Sequence, residues 1–215
     1  MLPEFRLLVP SERPAAHQVA ARALRDDPLF VYLQGPDPIA RQAAAYAAFR
    51  DQAAERRGWW RRRFAAPPVV PAPTVWGAVV AGHVIGTAAA AAPDACFVAQ
   101  LPAAVTRQRG GPEGPPGSPE RLTRVLAELH AHHCEERHWH VGPVGVEPGL
   151  QGRGVGAAVM RLLCDAMDAE GEVAFLETET PANVVFYRRL GFEVVGETHL
   201  TGLDVWFMRR EPRGR

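Results

Sequence analysis

Two stretches of this chain carry residues whose types and spacing suit them to chemistry. Residues 144–156, Val-Gly-Val-Glu-Pro-Gly-Leu-Gln-Gly-Arg-Gly-Val-Gly, read as a strand that breaks into a glycine-rich turn and opens an amphipathic helix near Arg153. The first turn of a helix has N–H groups with no intrahelical acceptor, and the helix dipole adds positive potential there, so the turn suits anionic oxygens such as those of a pyrophosphate. Gly152, Gly154 and Gly156 remove the side chains that would keep such a group at a distance. Residues 177–192, Glu-Thr-Glu-Thr-Pro-Ala-Asn-Val-Val-Phe-Tyr-Arg-Arg-Leu-Gly-Phe, add a short helix carrying Asn183 and Tyr187. Being four apart, these two share one stripe of that helix. A phenol with a pKa near ~10 keeps its proton at neutral pH and can give it to a departing anion.

The composition removes several other chemistries. Every basic residue in the Lys-plus-Arg count is an arginine. Without lysine there is neither a Walker P-loop nor a Schiff-base enzyme. Serine occurs only at Ser11 and Ser118, outside any Gly-x-Ser-x-Gly elbow, which disfavours a serine hydrolase. Cys96, Cys134 and Cys164 are odd in number and widely spaced, so they read as reduced thiols. A formal net charge of zero argues against a nucleic-acid-coating protein and for a small partner. No apolar run spans a bilayer, and the first residues lack the pattern of a signal peptide, so a soluble cytoplasmic protein without a membrane partner is expected. At 215 residues, a single domain over 1–215 is expected.

The elements that must position these residues follow from periodicity and punctuation. A strand over 5–9 precedes a helix toward Arg25 that Ser11 is placed to cap, with Asp27 and Pro28 closing it. A second, alanine-rich helix is expected over 39–57, followed by the arginine and aromatic run 59–64, read as a solvated helix end with partly buried aromatics. Residues 75–81 and 83–90 read as a hairpin turning at Ala81 and Gly82. Residues 110–117 are of low complexity and predict a mobile surface loop over about 105–119. A helix over 119–137 follows, with Leu122, Val125, Leu126 and Leu129 on one face. Then come a strand over 139–147 and a helix with Val155, Ala158, Val159, Leu162, Leu163, Ala166 and Met167 toward a sheet, stopped by Gly171. After a strand over 173–178, Thr180 caps, Pro181 takes the first helical position and Gly191 stops the short helix. Strands over 192–197 and 204–209 close the chain.

This order, with Gln151-x-x-Gly154-x-Gly156 opening the long helix and Asn183-x-x-Phe186-Tyr187-x-x-x-Gly191-Phe192 behind it, resembles the GCN5-related N-acetyltransferases from about Trp139 to the C-terminus. Within that superfamily, the run from Val144, the segment from Phe175 and the run 186–192 resemble the puromycin N-acetyltransferase branch. The resemblance implies a mixed α/β (α+β) fold: a central, mostly antiparallel sheet flanked by helices, with acetyl-CoA at a splayed strand pair. It implies that Val144, Gly145 and Val146 offer backbone to the pantetheine arm as an added strand. It further implies that Gln151, Gly152, Arg153, Gly154, Val155 and Gly156 hold the pyrophosphate. Asn183 would bind pantetheine or local backbone, and Tyr187 would sit beside the sulfur. The activity implied is acetyl transfer from acetyl-CoA to a primary amine of a small molecule, such as an aminonucleoside or other antibiotic, by direct attack in a ternary complex, with polyamines, amino acids and a protein N-terminus left open as acceptors. No acetylated cysteine is expected, because Cys164 falls on the packed face of the long helix.

The amine must lose a proton before it attacks, and the sequence leaves the base open among Glu177, ranked first, His140 and a water chain. Two other readings compete with this one. Gly152-x-Gly154-x-x-Ala157 with Glu177 downstream meets a loose dinucleotide fingerprint of an NAD-binding oxidoreductase, but residues 147–151 separate strand from glycines and too little chain follows for alternating repeats. A non-catalytic acyl-CoA-binding module differs only in lacking turnover. The run 130–140, with His130 and Cys134 four apart, has some ligands of a zinc site but no standard spacing; the histidines are expected to point apart in solvent, with no metal. A homodimer is left open, and no nucleic-acid partner is expected.

Overall fold

The computed structural model describes residues 2–50, 72–111, 113–200 and 202–214. The run 59–64 and the far end of the expected 39–57 helix lie outside the described residues. Among the described residues seven strands form one sheet: β1 (Glu4–Leu7), β2 (Thr74–Val80), β3 (His83–Ala91), β4 (His138–Val146), β5 (Val173–Thr178), β6 (Glu193–Leu200) and β7 (Leu203–Arg210), in the order β1-β2-β3-β4-β5-β7-β6. All neighbours are antiparallel except β4 and β5. The expected hairpin is β2–β3, and Ala81 and Gly82 both take positive φ, 49° and 80°, as a two-residue hairpin turn of matching twist requires.

Helices cover both faces. α1 (Arg13–Ala23), α2 (Pro28–Gln34) and α3 (Pro38–Arg50) come early; the short α4 (Ala103–Thr106) and α5 (Pro119–Ala131) lie between β3 and β4; α6 (Val155–Glu170) and α7 (Pro181–Arg188) follow β4 and β5. Strand alternation sends Trp76, Ala78 and Leu176 to the α6 and α7 face, where Val159, Met160, Leu163 and Met167 bury completely. Val75 and Val79 point the other way onto Ala16 and Val19 of α1, and Phe175 and Phe207 pack with Tyr32 of α2 and Val125 of α5. Cys164 lies on the buried face of α6 as expected and Met160 joins it, while Val155, Leu162 and Ala166 are only partly buried, so the inward stripe is rotated from the expected one.

Three local expectations are corrected. Ser11 lies in a 3-10 turn (Pro10–Glu12), and Glu12 takes the cap position of α1 without a side-chain bond, because its carboxylate is committed to Arg6 and to the Val9 N–H. Asp27 does not merely close α1: its carboxylate accepts from the Leu29 N–H and starts α2, an element the periodicity missed because it is only two turns long. Thr180 stands at the cap of α7, but its hydroxyl makes no capping bond. The low-complexity stretch is fastened by the Gly117 N–H to the Leu33 carbonyl (2.6 Å), by Arg121 to the Gly114 carbonyl (3.1 Å), and by Glu113 to Arg121 and Arg124 (3.7 and 3.8 Å).

Candidate active site

The parallel pairing of β4 with β5 lasts only from His138 to His140 against Val173 to Phe175. Beyond that the strands part. β4 continues to Val146, paired only with β3, so the later half of β4 presents backbone N–H and C=O groups to an open wedge on its β5 side. A bulge falls in the same stretch, where the register shifts between Ala88 and Ala90 of β3. Unpaired strand backbone next to a cleft can take an extended ligand as one more strand.

The glycine turn closes one end of this wedge. Gly154 sits at the N-cap of α6 with φ +83°, a left-handed conformation that costs a side-chain-bearing residue energy. No side chain caps α6, and Ala158 N–H is the first to reach back, to the Gly154 carbonyl, so the N–H groups of Val155, Gly156 and Ala157 precede the helical ladder. The Gln151 amide donates to the Val146 carbonyl (3.1 Å), and Arg22 of α1 grips Glu147 through two bonds, of 2.5 and 3.1 Å. α1 lies so close to β4 that a Cβ on Gly145 would stand 2.9 Å from the Ala20 Cα.

A cavity of about 760 Å³ joins these parts. Its walls include Val144, Gly145, Val146, Gln151, Gly152, Gly154, Val155, Gly156, Asn183 and Tyr187; of the residues expected at the cofactor, only Arg153 is not among them, and it is exposed. Tyr187 is buried, its ring edge-on to Phe186 and Phe192 at 5.1 and 5.8 Å. Burial first, then the negative charges of Glu179 and Asp27, push its phenol above the ordinary value, so it holds its proton across the physiological range.

Glu177 and His140 do not line this cavity. They pair with each other, His140 Nε2 to Glu177 Oε2 at 2.9 Å, and His140 Nδ1 lies 3.1 Å from the Cys96 Sγ. Two carboxylates that sequence reasoning missed stand nearer Tyr187 in the electrostatics. Asp27 lines the cavity, and burial raises its carboxyl despite the Leu29 N–H bond. Glu179, just past the end of β5, does not line the cavity but is raised well above the usual carboxylate range by burial, by Asp27 and by Glu177. Glu179 falls just past the end of β5, beyond the reach of strand alternation, so its spacing from Glu177 gave no reliable signal. Asp27 gave none, because its place at the cleft depends on how α1 and α2 fold back over the sheet.

The histidines between 130 and 140 divide into two groups. His130 and His132 turn to the carbonyls of Val98 and Glu128, whereas His133, His138 and His140 converge on Cys96, against the expectation that all point apart.

A model of the Acetyltransferase (GNAT) family matches residues 36–192. An N-alpha-acetyltransferase RimI of Mycobacterium tuberculosis is 31% identical over 122 residues, covering 45% of this chain and 76% of that protein. A mycothiol acetyltransferase of Mycolicibacterium gilvum is 43% identical over 60 residues, covering 24% of this chain and only 20% of that protein. Among solved structures, a histone acetyltransferase HPA2 and related acetyltransferase from Corynebacterium glutamicum superposes with a TM-score of 0.63 at 19% identity, covering 100% of this chain and 99% of its own. PaiA N-acetyltransferase from Thermoplasma acidophilum in complex with coenzyme A gives 0.55 at 12% identity, covering 98% and 99%. At such identities these two structures speak for the fold.

Proposed function

Because the chain belongs to the GNAT acetyltransferase family and uses acetyl-CoA as cosubstrate, we propose that it acetylates the primary amine of a small molecule by direct attack of that amine on the thioester in a ternary complex. Residues 1–215 act in this reading as one catalytic domain. The observation that carries it is the cavity in which the parted β4 strand, the uncapped N-terminus of α6 and Tyr187 meet. Acetyl-CoA supplies the acetyl group as an activated thioester. Backbone from Val144 to Val146 would hold the pantetheine arm, the turn from Gln151 to Gly156 the pyrophosphate, and Asn183 the polar groups between them.

Tyr187 protonates the leaving sulfur in this reading. For the opposite proton, Asp27, which lines the cavity, and Glu179, whose charge acts on both Asp27 and Tyr187 from outside the cavity wall, stand ahead of His140, which is engaged by Glu177 and Cys96. A carboxyl raised toward neutrality is a stronger base than an ordinary one and, once charged, attracts an ammonium ion. Glu177 then acts from behind, keeping the proton affinity of Glu179 high.

The buried carboxylates favour a cationic acceptor. A protein N-terminus is the second reading, because the relative from Mycobacterium tuberculosis is named an N-alpha-acetyltransferase. Thiol release from acetyl-CoA against polyamines, amino acids, aminonucleosides and short peptides separates the two. Turnover with a compact amine and background rates with peptides is the expected pattern. Turnover with peptides alone transfers the assignment to N-termini, and no calorimetric binding of acetyl-CoA removes the catalytic reading altogether.

A further inference from the structure

Behind the sheet position of His140, outside the cofactor cavity, three elements bring metal-binding side chains to one point. Cys96 lies in the turn after β3, His133 just past the end of α5, and His138 and His140 two apart on β4, hence on the same side of the strand. One ligand atom from each lies within 4.8 Å of all the others. Around a tetrahedral zinc ion, thiolate and imidazole donors stand about 3.4–3.6 Å apart, a contraction that small side-chain rotations supply.

The hydrogen bonding of the cluster is incomplete in a particular way. Among the described residues, both ring nitrogens of the half-buried His133 are enclosed without a hydrogen-bond partner, as is the Nε2 of the buried His138. Buried polar atoms are almost always satisfied, so three orphan nitrogens at one cluster call for a partner. The opposite nitrogens of the other two rings are already held. His138 Nδ1 donates to the Glu136 carbonyl at 2.6 Å, and His140 Nε2 to the Glu177 carboxylate at 2.9 Å. That is how metal-bound imidazoles are fixed, with the outer N–H on a carbonyl or carboxylate and the inner nitrogen free to coordinate. A cavity of about 540 Å³ lined by Cys96, His133, His138, Glu135 and Glu136 provides a path in.

We propose that Cys96, His133, His138 and His140 bind one zinc ion in a closed tetrahedral site of one thiolate and three imidazoles. One sulfur and three nitrogens select a borderline transition metal over magnesium or calcium, and four protein ligands leave no open position, which marks a structural site. The ion ties the turn after β3 and the end of α5 to β4, at the one place where β4 and β5 are paired. Cys96, His140 and Glu177 also lie in the order of a nucleophile, a base and an orienting carboxylate. That relay would use two of the four converging groups and leave His133 and the His138 Nε2 orphaned.

Untagged protein purified without chelators is analysed for metals, and a second sample is stripped and reloaded with cobalt(II). The expected result is about one zinc per chain, and a tetrahedral cobalt spectrum with a thiolate charge-transfer band. Cys96→Ser abolishes that band, and His133→Asn lowers zinc content to background. Should Cys96→Ser fail to fold, the cobalt spectrum of the wild-type chain decides by itself. Background zinc both as purified and after incubation with zinc and dialysis overturns the proposal, as does an acetyl adduct on Cys96 of metal-free protein during turnover.

Discussion

Tyr187→Phe isolates one hydroxyl. The ring stays, and with it the edge-on contacts to Phe186 and Phe192, so folding stability should hold within about 1 kcal/mol. Tyr187→Ala, by contrast, empties a site that is 8% exposed and should cost about 3–5 kcal/mol. If the phenol supplies the proton to the leaving sulfur, Phe should lower kcat by ~10²–10⁴, equivalent to about 2.7–5.4 kcal/mol of barrier. Acetyl-CoA affinity should change little, because the strand and turn that would hold the cofactor are untouched. Thiol release at saturating substrates measures kcat, and calorimetry measures the affinity. The pH profile gives a further check. Burial, Glu179 and Asp27 raise the Tyr187 phenol above its ordinary value, so wild-type activity should show no alkaline fall from this group at about pH 10. A turnover number within threefold or so of wild type would show that Tyr187 is packing and that the proton comes from elsewhere.

Three further outcomes follow from the geometry. Glu179 is raised in the folded state by burial, Asp27 and Glu177, so its contribution to stability is present below the ordinary carboxyl pKa and lost as pH rises through the raised value. Glu179→Gln should therefore raise Tm more at about pH 8 than at about pH 4, and should flatten the acidic limb of kcat/KM; an unchanged limb would acquit Glu179 as the base. Gly154→Ala meets no atom within 4 Å, so its effect is backbone strain at φ +83°, about 1–2 kcal/mol, and calorimetry should show acetyl-CoA bound about tenfold more weakly. Arg210, almost wholly buried, forks onto Asp168 with two bonds of 2.7 Å and donates to the Leu190 carbonyl at 2.9 Å; Arg210→Met should cost about 3 kcal/mol in denaturant melts without moving KM.

The parts of the site that sequence revealed are those that a continuous segment builds. A strand, a glycine turn and the first turn of a helix are laid out by residues 144–156, and the local backbone alone places their N–H groups. Asn183 and Tyr187 were legible for the same reason, because one short helix sets their spacing. The hairpin at Ala81 and Gly82, and the strands from Val173 onward, obeyed period and punctuation. What failed was tertiary in origin. α2 is too short to have a period, and Ser11 lost its capping place because Glu12 found better partners in Arg6 and Val9.

The amino-acid order by itself determined the chemistry on offer: no lysine amine, a glycine-stripped helix start, and a phenol four residues from an amide. Which carboxylates act on Tyr187, and which histidines meet a cysteine, was decided only when the sheet was assembled. Cys96 and His140 are 44 positions apart and stand 3.1 Å from each other because β3 and β4 are neighbours in the sheet and α5 folds back between them. Local spacing sets which way a side chain leaves its own element, but the distance between elements is set by packing across the sheet, and no stretch of sequence encodes that on its own.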